Sequence, residues 1–261
     1  MINQDIDKGK AFDWGQTSED YAKFRDIYPN TFYEKLIDMG LCIEGQRVLD
    51  IGTGTGVLPR NLYKYGSEFV GLDSSENQIK QARKLSEEAG MNISYVVSPA
   101  ESADFPANHF DVVTACQCYI YFDKNTLFSK ISSILKTPGH FCLLYMGWIP
   151  DENSIANTSE ELILKYNPSW SAYGMKPFLY DFPEQAHALF EVEHSFCYDI
   201  PVTFTRESWH GRIKTCRGIG ASSLSSKEII AFEEEHIDCL RCVPETFVIP
   251  HFVTVLNMRK K

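Results

Sequence analysis

Asp50 closes the apolar run "RVLD", and three glycines follow it at alternate positions, Gly52, Gly54 and Gly56, in "RVLDIGTGTG" (47–56). A second carboxylate, Asp73, ends the next apolar run, "FVGLD". A turn without Cβ atoms lets a ligand reach the main chain directly. A helix beginning near Val57 would aim its free N–H groups and positive dipole end at that ligand. A carboxylate at the end of the second strand can accept both hydroxyls of a ribose.

Two ligand classes use such a turn. Dinucleotides call for G-x-G-x-x-G, whereas here the spacing is G-x-G-x-G and Val57 takes the third glycine's place. Asp73 suits nicotinamide and adenosyl ligands alike. Asp50 separates them, because a carboxylate there holds an ammonium group, directly or through water, and repels a pyrophosphate. A ribose, a close backbone approach and an amine together fit S-adenosylmethionine.

The elements that position these residues read as an α/β fold. "RVLDIG" (47–52), "FVGLD" (69–73), "ISYVVS" (93–98), "FDVVTAC" (110–116) and "HFCLLYMGW" (140–148) are near-continuous apolar runs, as strands covered on both faces are. Helical patterns lie between them. "SSENQIKQARKLSEEAG" carries a capping signature at Ser75 and Gln78, an apolar face of Ile79, Ala82, Leu85 and Ala89, and a terminating Gly90. Residues 124–136 place Leu127, Phe128, Ile131, Ile134 and Leu135 on one face and stop at Pro138-Gly139. Strand–helix alternation predicts a doubly wound, mostly parallel sheet. Two late strands, 190–200 and 251–260, bring the count to seven and are expected as an antiparallel edge, with 205–245 mostly helical. Ahead of the first strand, helices are expected at 17–29, ended by Pro29, and at 31–39. The chain divides by role into N-terminal lid helices (1–45), a cofactor-binding core (46–148) and an aromatic, helical substrate cap with closing strands (149–261).

Over residues 46–148 the sequence resembles the class I S-adenosylmethionine-dependent methyltransferases, whose fold is Rossmann-like. "VLDIGTGTG" is similar to the first family motif, which implies Asp50, Gly52, Thr53, Gly54 and Gly56 at the cofactor. "VGLDSS" is similar to the second, with Asp73 on the ribose and Ser74 near the adenine. "SPAESADFP" resembles the adenine segment and implies Ala100 and Glu101, although Pro99 stands where relatives often have Asp. "FDVVTACQCYIYFD" resembles the fourth motif and implies Gln117. "ILKTPGHFCLL" resembles the helix–turn–strand that follows. The pattern is similar to the small-molecule branch that includes trans-aconitate and ubiquinone or menaquinone-type enzymes. In that branch Tyr21, Arg25, Tyr28 and Pro29 also match a familiar segment, which implies Tyr21 and Arg25 at the methionine end of the cofactor. Ile120 and Tyr121 replace a His-Trp pair frequent in the branch; if that His contacts substrate in relatives, the substrate or chemistry here differs.

Methyl transfer is an in-line displacement from a sulfonium carbon, so such an enzyme mainly positions the acceptor and excludes water. A dedicated base is optional, and the acceptor atom (O, N, S or C) stays open. Tyr28, Tyr119, Trp148, Trp170, Tyr173, Trp209 and Arg212 are candidates for the substrate pocket; the same aromatics could equally form the cap's own core. In "TRESWHGRIKTCRG" (205–218), Arg212 and Arg217 could bind an anionic substrate as forks or balance surface charge, and His210 is a candidate base. Two other readings compete with methyl transfer: a non-catalytic S-adenosylmethionine-binding module and, disfavoured by Asp50 and the glycine spacing, an NAD-dependent oxidoreductase.

Composition bounds the partners. In 261 residues the formal net charge is −10. This disfavours a nucleic-acid partner, as does the lack of an "N-P-P-Y"-like stretch. No run of about 18 apolar residues predicts a membrane span, and "MINQDIDKGKAF" lacks an apolar signal core, so a cytoplasmic location is expected. The eight cysteines, Cys42, Cys116, Cys118, Cys142, Cys197, Cys216, Cys239 and Cys242, are expected as buried free thiols. "HIDCLRC" sets His236, Cys239 and Cys242 at a suggestive spacing. Without a second ligand pair it reads as a helix with partly buried thiols, and no metal is expected.

Overall fold

The computed structural model describes residues 3–261. The helices and strands run α1 (Ser18–Phe24), α2 (Asn30–Asp38), β1 (Arg47–Ile51), α3 (Val57–Leu62), β2 (Glu68–Asp73), α4 (Glu76–Glu88), β3 (Ser94–Val97), β4 (Phe110–Cys116), α5 (Lys124–Ile134), β5 (Leu135–Trp148), α6 (Ser154–Tyr166), β6 (Phe190–Thr205), α7 (Arg206–Lys214), α8 (Ser226–Leu240) and β7 (Thr246–Lys260).

The strands form one seven-stranded sheet in the order β3-β2-β1-β4-β5-β7-β6. The first five are parallel, with Asp50 of β1 opposite Gly71 of β2 on one side and Thr114 of β4 on the other. The last two run against their neighbours. Residue numbers rise along β5 from His140 to Ile149 while their partners fall from Asn257 to Pro250. The same reversal relates Glu191 and Glu193 of β6 to Arg259 and Asn257 of β7. This is the mostly parallel, Rossmann-like sheet with antiparallel strands at one edge. β7 lies inside it, between β5 and β6, and β6 is the edge.

Several element ends differ from expectation. α1 stops at Phe24, where Arg25 N closes the last turn on Tyr21 O, and Pro29 opens α2 rather than ending α1. α5 ends at Ile134, and β5 begins at once, with Leu135 opposite Phe110. The residue before a proline disfavours helix, so the chain turns extended ahead of Pro138. Pro138-Gly139 therefore lies within β5, where the register shifts between Phe110 and Val112. β6 and β7 are longer than predicted, because Ile200, Val202 and Phe204 on β6, and Phe247 and Ile249 on β7, continue the inward alternation.

The chain divides into two compact units. One comprises Tyr28–Met146, Phe178–Tyr198 and Val253–Lys261. Its main core joins Leu49 and Ile51 of β1, Val113 and Ala115 of β4, and Phe141 and Leu143 of β5 to Leu127, Phe128, Ile131 and Ile134 of α5. A smaller cluster sets Ile79 and Ala82 of α4 against Tyr95 of β3. The other unit comprises the residues up to Ile27, Gly147–Pro177 and Asp199–Phe252. There α8 packs on α6 and α7, and α1 on α7. A Cβ on Gly211 would fall 2.3 Å from the Phe24 ring, so only glycine admits α1 this closely. Among the described residues no helix is long and apolar enough to cross a membrane.

Candidate functional site

β1, β2 and β4 are parallel neighbours, so their carboxyl ends lie along one edge of the sheet. Gly52 follows β1, Asp73 ends β2, and Gln117 follows β4. The chain steps outward from β1 to β2 and β3, then returns to the other side of β1 as β4. That reversal is where open α/β sheets bind ligands.

Asp50 sits at this switch, 2 % exposed. Thr114 Oγ1, from the facing position on β4, donates to Asp50 Oδ1 at 2.6 Å. Burial pushes the Asp50 carboxyl up to about 7, against the pull of hydrogen bonds from Thr114 and Thr53 and with the help of Asp73. A buried carboxyl with a raised pKa at the strand end is poised to become the counter-charge of an ammonium group. The Asp73 carboxylate accepts from Gly54 N at 2.9 Å and from Ser75 N at 2.8 Å, tying the glycine turn to the start of α4. Burial raises its pKa, and the N–H groups of Ser75, Gly54 and Ser74 oppose that. The helix cap itself is Ser75, whose hydroxyl accepts from Gln78 N.

The glycine turn answers to two demands. Gly52 and Gly56 have φ of +65° and +73°, a region costly for other residues. Their missing side chains are also replaced by protein atoms. A Cβ on Gly52 would lie 2.7 Å from Cys118 Sγ, and one on Gly56 2.4 Å from the Tyr95 hydroxyl. Close approach at these two positions is thus made by the protein, while Gly54 N faces the Asp73 carboxylate. Thr53 is buried within the turn, and its N–H donates to Leu72 O.

Gln117 adopts φ +68°. Its amide nitrogen Nε2 donates to Met146 O at 2.6 Å and its backbone N–H to Leu144 O at 2.8 Å. A non-glycine residue held in this region at a strand end stores strain of a kind common at ligand sites. Ala100 is buried and Ser74 exposed. Glu101 Oε1 accepts from Asp123 N, the residue that caps α5. Tyr28 belongs to the same unit: the Cys116 thiol donates to its hydroxyl at 3.6 Å, and its ring packs on Phe32. Tyr119 is buried edge-on to Phe128 and Tyr180, and burial lifts its phenol to about 12.

The remaining candidates lie in the other unit. The Arg25 guanidinium stacks over Tyr21 at 4.6 Å and Trp14 at 5.6 Å. Trp148 and Trp209 meet edge-on at 5.7 Å, and the Arg212 guanidinium lies over Trp148 at 4.8 Å. Arg212 and Arg217 are both buried, which corrects the surface-charge alternative. Arg217 is committed to Asp7 at 2.8 Å. His210, the candidate base, lies 2.9 Å from His236 through their Nδ1 atoms, and burial beside Lys214 lowers its pKa to about 4. His236 points inward to Ser159, whereas Cys239 and Cys242 are exposed, so the three do not converge and these two thiols are not partly buried. Trp170 is buried and Tyr173 exposed.

Thr114, Cys118 and Glu160 escape sequence reasoning. A threonine inside the apolar run "FDVVTAC" was a readable sign of a polar partner on the neighbouring strand. Glu160 accepts from Trp148 Nε1 at 2.7 Å and Gly174 N at 2.8 Å, and no local pattern marks it.

The stretch that builds this edge of the sheet is similar to known proteins. Residues 48–139, from β1 to the start of β5, match the family described as "Methyltransferase domain". Over this stretch the chain is similar to the class I S-adenosylmethionine-dependent methyltransferases. A candidate methyltransferase of Dictyostelium discoideum is 27% identical over 141 residues, covering 54% of this chain and 51% of that protein. The ubiquinone biosynthesis O-methyltransferase of Coxiella burnetii is 27% identical over 145 residues, 53% of this chain and 62% of that protein. The matched stretch thus spans about half of these relatives' length. A candidate type II methyltransferase of Anaeromyxobacter dehalogenans shares the fold, with a TM-score of 0.58 at 17% identity over 89% of this chain and 96% of that one. The methyltransferase domain's matched stretch contains Asp50, the glycine turn, Asp73, Ala100, Glu101 and Gln117.

Proposed function

We propose that this chain transfers a methyl group from S-adenosylmethionine to a small-molecule acceptor. The observation that carries this reading is the shared edge of β1, β2 and β4, where a buried carboxyl at Asp50, a glycine turn and the Asp73 carboxylate stand in succession. These residues fit the ligand. Asp50, raised by burial, gains a partner when an ammonium arrives. Asp73 retains lone pairs for a ribose beyond those facing Gly54 and Ser75. Ser74, Ala100 and Glu101 would bound the adenine, and Gly52, Thr53, Gly54, Gly56 and Gln117 the remainder. When bound, S-adenosylmethionine supplies a methyl group on a sulfonium and leaves as a neutral thioether.

The protein's own part is then to hold the acceptor in line and keep water away. His210 is not assigned as a base, because its Nδ1 faces His236. Residues 46–148 would hold the cofactor and 149–261 supply substrate contacts. A net charge of −10 supports a small molecule over a nucleic acid as partner, in the cytoplasm.

Calorimetric titration of the full chain with S-adenosylmethionine, S-adenosylhomocysteine and NAD tests this. Micromolar binding of both adenosyl ligands, lost in Asp73→Ala, is expected, with release of S-adenosylhomocysteine when an acceptor is found. Binding of NAD alone would redirect the reading to hydride transfer. Adenosyl binding with a permanently blocked acceptor pocket would favour a non-catalytic module.

A further inference from the structure

Arg212, in the last turn of α7, is a buried cation whose Nε and Nη1 meet no acceptor among the described residues. Its residue is 6% exposed, and its Nε and Nη1 are sealed from solvent with no hydrogen-bond partner among the described residues. The contact it makes is with a ring: its guanidinium lies 4.8 Å over the Trp148 indole, itself wedged against Trp209. The neighbouring arginines are satisfied differently. Arg206 donates to Val243 O, and Arg217 pairs with Asp7, which also accepts from Ser171. The acids around α7 are spent as well. Glu160 receives Trp148 Nε1 and Gly174 N, and Asp20 receives Lys214 at 2.8 Å.

A guanidinium stays protonated at any physiological pH, so burial cannot be relieved by losing the proton. An unpaired buried charge is strongly unfavourable, and stacking on one indole recovers a small part of that. An anion from outside the chain would complete the group. A planar carboxylate accepts two parallel N–H bonds from one edge of a guanidinium. The indole walls beside it suit the carbon body of an organic acid. A phosphate would call for further donors, and Lys214 is already taken by Asp20 and, at 3.8 Å, by Glu233.

We propose that Arg212 is the anchor for a carboxylate on the small molecule this chain acts on. Calling that molecule the methyl acceptor rests on the methyl-transfer reading; the anion site itself does not.

The test uses the full chain and its Arg212→Met, Arg212→Lys and Arg241→Met variants, the last being an exposed surface control paired with Asp238. Thermal denaturation is followed with acetate, butyrate, succinate, benzoate, inorganic phosphate, and the amides butyramide, succinamide and benzamide. At least one acid is expected to raise the midpoint of the wild type and of Arg241→Met, and its amide not to. Binding of that acid, by saturation-transfer NMR, should weaken roughly tenfold or more in Arg212→Met and less in Arg212→Lys. Without any ligand, Arg212→Met should unfold at a higher temperature than the wild type, since it removes an uncompensated buried charge. The proposal is overturned if no acid stabilises the wild type, if acids and amides act alike, if phosphate alone binds, or if Arg212→Met binds the acid unchanged. Titration with S-adenosylmethionine on the same samples separates the two readings. Acid binding without adenosyl binding would leave the anchor standing and remove methyl transfer, and the converse would do the reverse.

Discussion

Asp50 lies between two strands in a place where a carboxylate loses its water and receives the Thr114 hydroxyl at 2.6 Å. Its pKa is raised from 3.8 to about 7. The sign of the resulting linkage is definite. Below about pH 4 the folded and unfolded chains both hold the proton, and Asp50 costs nothing. Between about 4 and 7 the unfolded chain releases it while the folded chain keeps it, so stability falls as pH rises. Above 7 the cost is complete, at most about 4 kcal/mol. Asp50→Asn removes that cost and can still accept from Thr114. It should therefore be more stable than the wild type at pH 8, with the difference shrinking as pH falls and vanishing below about pH 4 in urea titrations. A difference of the same size at every pH would dispose of the buried-carboxyl account. The variant should also lose affinity for S-adenosylmethionine, because an amide cannot balance an ammonium charge. The carboxylates and glycines were legible because their types and spacing are local. Cys118 and Tyr95, which fill the space beside Gly52 and Gly56, were not, since the contacts that bring them there are tertiary.

At the scale of elements, strands were easier to read than their ends. The five parallel strands announced themselves as apolar runs, because both of their faces are covered. The β5 start was missed because "LKTPG" looks like a turn, while its pairing with Phe110 is made across the sheet. Glu101 shows the same dependence. In sequence it belongs to an adenine-binding segment, and in the fold its Oε1 also receives Asp123 N at the head of α5. Asp123 in turn accepts from Asn125 N as the helix cap. Glu101→Ala should thus destabilise the chain by about 1 kcal/mol through the start of α5, and Glu101→Gln by less, since its amide oxygen still accepts. Urea unfolding of both variants checks this, and an unaltered midpoint in Glu101→Ala would show that α5 does not depend on the contact. Calorimetry on the same proteins reads the separate contribution of Glu101 to adenosyl binding.

For the whole molecule, the decisive strand is β7. β7 is inserted between β5 and β6, so the sheet cannot close its antiparallel side until residues 246–260 are in place. From His251 to Met258 every residue is buried, and Leu256 and Met258 join the core cluster around Phe128 and Phe141. β7 also supplies both compact units, ending one at Phe252 and opening the last segment of the other at Val253. An edge strand would be dispensable at modest cost. An internal strand is not, because its loss exposes two rows of backbone donors and acceptors together with the apolar face of α5. A chain ending at Glu245 should therefore lack a cooperative unfolding transition and bind no S-adenosylmethionine, although every motif residue from Asp50 to Gln117 is retained. Circular dichroism with urea titration distinguishes the cases. A cooperative transition in the shortened chain would mean that the parallel strands with α2–α5 fold alone, and that the antiparallel strands serve the substrate side instead of the sheet's stability.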